Sequence, residues 1–231
     1  MKLAILGGTG LVGTEMISIL AERKFQIDEL VIFASTRSEG KKLNTPYGEV
    51  TCQVAKSSDD FEGCDYVIID VDDPIAAELA PLAAKAGARV IDKSATFRME
   101  ADIPLVIPEI NAADIANASR GIVSTPNCTT TVLLMAIAPL HSKFDLDRMV
   151  ISSYQSVSGA GQAGLDELQT QWKQHAFDDD LGNFVSSHNN ESVISGGGVW
   201  DKAIAGNVIP LAGSIKQDGY TSEEIKLAKE S

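Results

Sequence analysis

Residues 2–22 read KLAILGGTGLVGTEMISILAE, and this stretch decides the fold. The apolar run from Lys2 to Leu6 predicts a buried strand, and the spacing of apolar residues from Leu11 to Glu22 predicts an amphipathic helix. The glycines between them match G-x-G-x-x-G, a pattern that allows a tight turn and brings backbone N–H groups close to a pyrophosphate. We therefore predict a dinucleotide site, the alternative being a glycine-rich turn without a ligand. Its residues are Gly8, Thr9, Gly10, Leu11, Val12 and Gly13.

The first half of the chain continues with alternating strands and helices. Strands separated by helical crossovers form a mostly parallel sheet that is covered on both faces, so we predict an α/β, doubly wound, Rossmann-type nucleotide domain. The predicted strands are Glu29–Ala34, Asp65–Val71, Arg89–Asp92 and Gly121–Ser124, with a helix at Ile75–Ala86 and a hairpin within Asn44–Ala55.

The pattern changes after residues 125–128, which predicts a boundary between a domain of residues 1–127 and one of residues 128–231. Later segments are strand-like at Arg148–Val157, helical and polar at Gln162–Ala176, loop-like at Phe177–Gly206, and helical and charged at Ser222–Glu230.

The end of the second predicted strand bears on the choice of nucleotide. An NAD site usually has an acidic residue there to accept a bond from the ribose 2′-hydroxyl. This chain has Ala34, Ser35, Thr36, Arg37 and Ser38 instead. Hydroxyls and a guanidinium suit a 2′-phosphate, so Ser35, Arg37 and Ser38 favour NADP, the alternative being a solvated turn.

Cys128 lies between the predicted strand Gly121–Ser124 and an apolar helical stretch, Val132–Leu140. A thiol at a helix N-terminus is favoured as thiolate by the helix dipole and the unpaired N–H groups. A buried cysteine acting as a small hydrophobic residue is the alternative reading. Beside a dinucleotide site, the position points to hydride transfer on a carbonyl held as a thioester.

Composition limits the other possibilities. A net charge of −13 opposes non-specific binding of nucleic acid. No apolar run is long enough to span a bilayer, so we expect a cytoplasmic protein without a membrane partner. The three cysteines, Cys52, Cys64 and Cys128, lack C-x-x-C spacing, so neither a disulfide framework nor a metal site is expected.

Together these motifs resemble the aspartate-semialdehyde dehydrogenase family along essentially the whole chain. The matching segments are residues 8–13, Ala34–Ser38, Ser94–Met99, Pro126–Thr130, Ser158–Gly164, Asn207–Pro210 and Gly219–Lys226. The resemblance implies a Rossmann-type domain followed by a partial α+β catalytic and dimerisation domain, in a homodimer or higher homo-oligomer.

The implied reaction is the NADP-dependent interconversion of L-aspartate 4-semialdehyde plus phosphate with 4-aspartyl phosphate, on the route to lysine, threonine, methionine and isoleucine. The family's acyl-thioester cysteine falls on Cys128, and the neighbouring Asn127 amide is placed to stabilise an oxyanion. By the same resemblance, Gln155 orients substrate, and Ser158 and Gly159 lie against the nicotinamide. Arg98, Asn127, Gln155, Glu223 and Lys226 bind substrate or phosphate.

The chain departs from the family pattern in three places. The family's acid–base His and a carboxylate-binding Arg fall beyond Ser231, which leaves open an inactive or fragmentary relative that binds dinucleotide or pairs with a longer partner. The Asp70–Pro74 segment, including Asp72 and Asp73, replaces small residues and paired glycines. Lys93 stands where an Asn is usual. We expect these charges to disturb the cofactor site.

Overall fold

The computed structural model describes residues 1–175, 198–216 and 218–231. These residues form two compact units, one of Met1–Val150 with Lys226–Ser231 and one of Ile151–Ile225. The units differ from the predicted domains, 1–127 and 128–231, and that division stays a prediction.

The first unit is built on a parallel sheet of five strands in the order β2-β1-β5-β6-β7. The strands of this sheet consist of short runs that contain buried β-branched and leucine residues, as expected for strands covered on both faces. The strands are β1 (Lys2–Leu6), β2 (Glu29–Phe33), β5 (Tyr66–Ile69), β6 (Arg89–Asp92) and β7 (Ile122–Ser124). The predicted doubly wound α/β fold is confirmed.

Helices and a hairpin connect these strands. The predicted hairpin is present as an antiparallel pair. Two apolar clusters cover the two faces of the sheet, one around Phe61 and Val90 and the other around Ile17 and Ile32. The connecting elements are α1 (Leu11–Glu22), β3 (Lys42–Thr45), β4 (Gly48–Thr51), α2 (Asp73–Lys85), α3 (Pro108–Asn111) and α4 (Cys128–Phe144).

The predicted strand at Arg148–Val157 is wrong. Residues 145–156 have no regular secondary structure, and none of them forms a strand ladder with another described residue. Val150 and Tyr154 are 84% and 88% exposed. A β-branched sequence suits a sheet, but a strand exists only where a neighbour completes its hydrogen-bond ladder.

The second unit contains α5 (Gly161–His175), and α6 (Ser222–Glu230) begins in it. Both helices were predicted, and both are confirmed. Gln171 on α5 is buried and accepts hydrogen bonds from the N–H groups of Ile204 and Ala205, at 2.8 and 3.1 Å. Most of the predicted loop Phe177–Gly206 lies outside the described residues.

Candidate active site

The glycine-rich turn follows β1 and leads into α1, whose N-cap is Gly10. A Cβ on Gly13 would lie 2.4 Å from the Gly7 carbonyl oxygen, and one on Gly7, where φ is +84°, would lie 2.1 Å from the Asp70 oxygen. Backbone atoms occupy both places, so neither position has room for a side chain. The turn therefore packs closely while the first N–H groups of α1 remain directed out of the helix, as an anion site requires.

The end of β2 forms a short 3₁₀ turn, Thr36–Ser38, with Ser35 as its N-cap. Ser35 and Arg37 are exposed, and Ser38 is half-buried. Arg37 has no ion-pair partner among the residues that the structure describes. The hydroxyls and the guanidinium are thus accessible at the carboxyl edge of the sheet.

Cys128 is the first residue of α4, four residues after the end of β7 at Ser124. Its predicted place at a helix N-terminus is confirmed, and its side chain is exposed, which excludes the buried alternative. The Asn127 side chain caps the helix by accepting a hydrogen bond from the Thr129 N–H at 2.9 Å. Cys52 and Cys64, in contrast, are buried, and burial raises the pKa of both thiols.

A buried ion pair lies next to this helix end. The Arg98 and Glu230 side chains are only 8% and 4% exposed, and they approach to 3.0 Å. The same Glu230 carboxylate accepts a hydrogen bond of 2.6 Å from the Asn127 backbone N–H. Arg98 also donates to the Lys93 carbonyl at 2.7 Å, while its buried Nε has no partner among the described residues. Two of its three nitrogens are therefore engaged by protein atoms.

The last residue of β6, Asp92, is fully buried. Its carboxylate accepts hydrogen bonds from the Ser94 hydroxyl at 2.8 Å and the Ser94 N–H at 3.3 Å. Loss of hydration raises the pKa of Asp92, and the Ser94 hydrogen bonds and the Arg98 charge only partly oppose that rise. Asp92 thus lies behind the segment that carries Arg98 and does not face solvent.

Three of the four charges that depart from the family pattern have local partners. Lys93 Nζ lies 3.0 Å from Asp70 Oδ1. Asp73 accepts a hydrogen bond from the Ala95 N–H at 2.8 Å. Asp72 is the N-cap of α2, but its side chain makes no capping hydrogen bond. The expectation that these charges disturb the cofactor site did not include the pairing of Lys93 with Asp70, and it stays a prediction.

The remaining predicted site residues belong to the second unit or to α6. Gln155 is exposed, and it precedes a 3₁₀ turn, Val157–Ala160, that contains Ser158 and Gly159. Glu223 and Lys226 lie three residues apart on α6 and are both half-buried. Their roles at the site stay predictions.

Sequence reasoning missed Glu230. Four residues after Lys226, it reads as half of a surface i,i+4 pair on a charged helix. Its contacts with Arg98 and Asn127 span more than a hundred residues of chain, and no local pattern signals such a contact.

Comparison with known proteins decides the family. Residues 2–118 match the NAD binding domain of semialdehyde dehydrogenases, and residues 137–231 match the dimerisation domain. The aspartate-semialdehyde dehydrogenase of Streptomyces akiyoshiensis is 40% identical over all of this chain, which spans 67% of that relative. This chain belongs to the aspartate-semialdehyde dehydrogenase family. The family's Rickettsia bellii enzyme is 39% identical over 99% of the chain, which spans 64% of that relative's length.

A solved structure agrees with this assignment. Aspartate semialdehyde dehydrogenase II from Vibrio cholerae, crystallised in complex with ASA, matches with a TM-score of 0.84 and 36% identity. The match covers 99% of this chain and 64% of that aspartate-semialdehyde dehydrogenase.

Two further observations concern the described residues alone. They contain no cluster of three or more His, Cys, Asp or Glu that could bind a metal ion. None of their helices combines the length and the apolar character needed to cross a membrane.

Proposed function

We propose that this chain interconverts L-aspartate 4-semialdehyde plus phosphate with 4-aspartyl phosphate, using NADP and a thioester on Cys128, in the aspartate route to lysine, threonine, methionine and isoleucine. The observation that carries the proposal is the exposed Cys128 at the start of α4. That helix follows a strand of the same parallel sheet that carries the glycine-rich turn. Ligands of such sheets bind at the carboxyl ends of the strands, where both features lie.

The nucleotide part of the proposal rests on fit. A turn without room for Cβ atoms, followed by a helix N-terminus, suits a pyrophosphate, and exposed Ser35 and Arg37 suit a 2′-phosphate. A family structure from Candida albicans, 29% identical over 63% of this chain with a TM-score of 0.53, was solved with NADP. Residues 8–13 would hold the pyrophosphate, and Ser35, Arg37 and Ser38 the 2′-phosphate.

In the biosynthetic direction, the Cys128 sulfur attacks the acyl phosphate carbon. The carbon–oxygen bond to phosphate breaks, phosphate leaves with the electron pair, and a thioester remains on Cys128. NADPH, when bound, supplies the hydride that reduces this thioester. The carbon–sulfur bond then breaks, so the aldehyde leaves and the thiolate returns. The Asn127 side-chain amide nitrogen and the Cys128 backbone N–H stabilise the oxyanion, each donor contributing about 3 kcal/mol in comparable sites.

The other predicted residues hold the substrate in this scheme. Gln155 orients it, Glu223 holds its amine, Lys226 and Arg98 bind phosphate, and Ser158 and Gly159 lie beside the nicotinamide. Because Arg98 is only 8% exposed and its charge is paired with Glu230, the phosphate contact in this scheme requires that ion pair to open. The match to a dimerisation domain supports a homodimer or higher homo-oligomer, which light scattering would test.

The test is phosphate-dependent oxidation of the semialdehyde with NADP, followed by nicotinamide absorbance. We expect Cys128→Ser to reduce turnover at least about a thousandfold and Cys64→Ala, which alters a buried thiol, to retain it. Turnover that persists in Cys128→Ser refutes the mechanism. NADP binding without turnover in the unaltered chain would favour the other reading, a relative that binds dinucleotide or pairs with a longer partner without catalysis.

Cofactor choice has a separate test. Arg37→Ala should weaken NADPH binding about tenfold or more and leave NADH binding unchanged, because only NADPH carries the 2′-phosphate. Arg23→Ala removes an exposed arginine at the C-terminus of α1 and is the matched control. Equal losses for NADPH and NADH would contradict an Arg37 contact with that phosphate.

A further inference from the structure

Parallel sheets of this kind bind dinucleotides at a topological switch point. The strand order β2-β1-β5 means that the connections from β1 and to β5 lie on opposite sides of the sheet, so the carboxyl ends of β1 and β5 flank a switch point. Gly7 follows β1 and Asp70 follows β5. The two are in backbone contact, because a Cβ on Gly7 would lie 2.1 Å from the Asp70 carbonyl oxygen. Asp70 therefore lies at this switch point.

A carboxylate at this place works against the proposed ligand. The pyrophosphate is itself anionic, and two negative charges at a partly buried place repel each other more strongly than in bulk solvent. The Asp70 side chain is 23% exposed, so solvent screens it only in part.

Lys93 removes this conflict. It follows β6, the strand next to β5, and its Nζ lies 3.0 Å from Asp70 Oδ1 with the lysine side chain 31% exposed. The Lys93 N–H is bonded to the Ile69 carbonyl at 3.0 Å, which holds the backbone of Lys93 beside the end of β5. The ion pair is thus built into the ends of two adjacent strands.

We propose that Lys93 is a positioning residue for cofactor binding: its ammonium neutralises Asp70 at the switch point and so permits an anionic dinucleotide to bind there. The inference rests on the proposed dinucleotide function. Neither residue needs to touch the ligand, since the effect is carried by the charge of the pair. Without Lys93, one uncompensated negative charge would remain beside the pyrophosphate, which weakens binding about tenfold at an effective dielectric between those of protein and water.

The test is a charge cycle read by NADPH titration, followed by nucleotide fluorescence. We expect Lys93→Met and Lys93→Gln each to raise the NADPH dissociation constant about tenfold. Asp70→Asn should leave it unchanged or lower it. The double variant Lys93→Met with Asp70→Asn should return to within about twofold of the unaltered chain, because the repelling charge is gone.

Two controls separate charge from structure. Lys2→Met breaks a partly exposed ion pair with Glu29 at the amino ends of β1 and β2, away from the carboxyl ends where the nucleotide is proposed to bind. It should change the NADPH dissociation constant less than about twofold. The Lys93→Met defect should also shrink as salt is raised, since salt screens the Asp70 charge. A purely structural defect would not respond in this way.

The outcomes are distinguishable. If the unaltered chain does not bind NADPH, the proposed function fails and this inference fails with it. If the unaltered chain binds NADPH but Lys93→Met binds equally well, the inference alone is refuted. It is refuted as well if the double variant remains as weak as Lys93→Met, because Lys93 would then act by a direct contact or by folding.

Discussion

Replacing Glu230 with Gln should destabilise the first unit strongly, although the two side chains have nearly the same shape. Glu230 is 4% exposed and compensates the charge of Arg98, which is 8% exposed. Removing one partner of a buried ion pair leaves the other charge without compensation and costs about 3–5 kcal/mol. Gln keeps one carbonyl oxygen for the Asn127 N–H, so we expect a loss of free energy of unfolding near the lower end, about 3 kcal/mol.

A second variant separates charge from shape. Arg98→Met combined with Glu230→Gln removes both charges and keeps an acceptor for the Asn127 N–H. It should lose about 1–2 kcal/mol, clearly less than Glu230→Gln alone. The matched control is Asp102→Asn, which breaks the exposed pair with Arg120 and should cost less than about 1 kcal/mol.

The assay must report on the correct unit. Both tryptophans, Trp172 and Trp200, lie in the second unit, so tryptophan fluorescence does not follow the first. Hydrogen exchange of peptides from β1, β5 and the start of α4, measured by mass spectrometry, reads the first unit directly. A loss in Glu230→Gln no larger than that in Asp102→Asn would refute a buried, charge-compensating role for Glu230.

Three further predictions follow from the described geometry. Gly13→Ala should cost about 1–3 kcal/mol and abolish NADPH binding, because its Cβ would lie 2.4 Å from the Gly7 oxygen; thermal unfolding and nucleotide titration check this, and normal NADPH affinity would contradict it. The native chain should react with iodoacetamide at Cys128 alone, since Cys52 and Cys64 are buried and burial raises the pKa of both thiols. Peptide mapping identifies the labelled residue, and labelling of a native Cys128→Ser chain would contradict the prediction. Burial raises the pKa of Asp92 above the value that this carboxyl has in the unfolded chain. The folded chain therefore keeps the Asp92 proton to a higher pH than the unfolded chain does, and the contribution of Asp92 to the free energy of unfolding falls as the pH rises from about 4. The stability of Asp92→Asn relative to the unaltered chain should therefore increase as the pH rises from about 4. Urea unfolding at several pH values measures this difference, and a difference that does not change with pH would contradict the prediction.

Local patterns predicted the parts of the fold that local physics controls. The glycine turn, α1 and the short parallel strands combine periodicity with turn chemistry inside a few residues, and the structure has them within one or two residues of the prediction. The strand predicted at Arg148–Val157 depended on a partner elsewhere, which a propensity does not supply.

The candidate site divides in the same way. Gly8–Gly13 and Cys128 are recognisable because each lies at a strand-to-helix junction, where sequence position fixes geometry. The partners of Arg98 and Lys93 are set by long-range packing. Sequence alone therefore treated Lys93 and Asp70 as two separate disturbances, whereas the folded chain makes them one neutral pair.

The cap on α4 has a consequence for substitution at Asn127. Its side-chain oxygen is held by the Thr129 N–H, so the amide nitrogen has to point the opposite way. Aspartate would fit the same space and keep the cap, yet it would exchange that nitrogen for a second oxygen. In the proposed mechanism, this change of one atom would replace a group that donates to the oxyanion with one that repels it, while the helix itself remained intact.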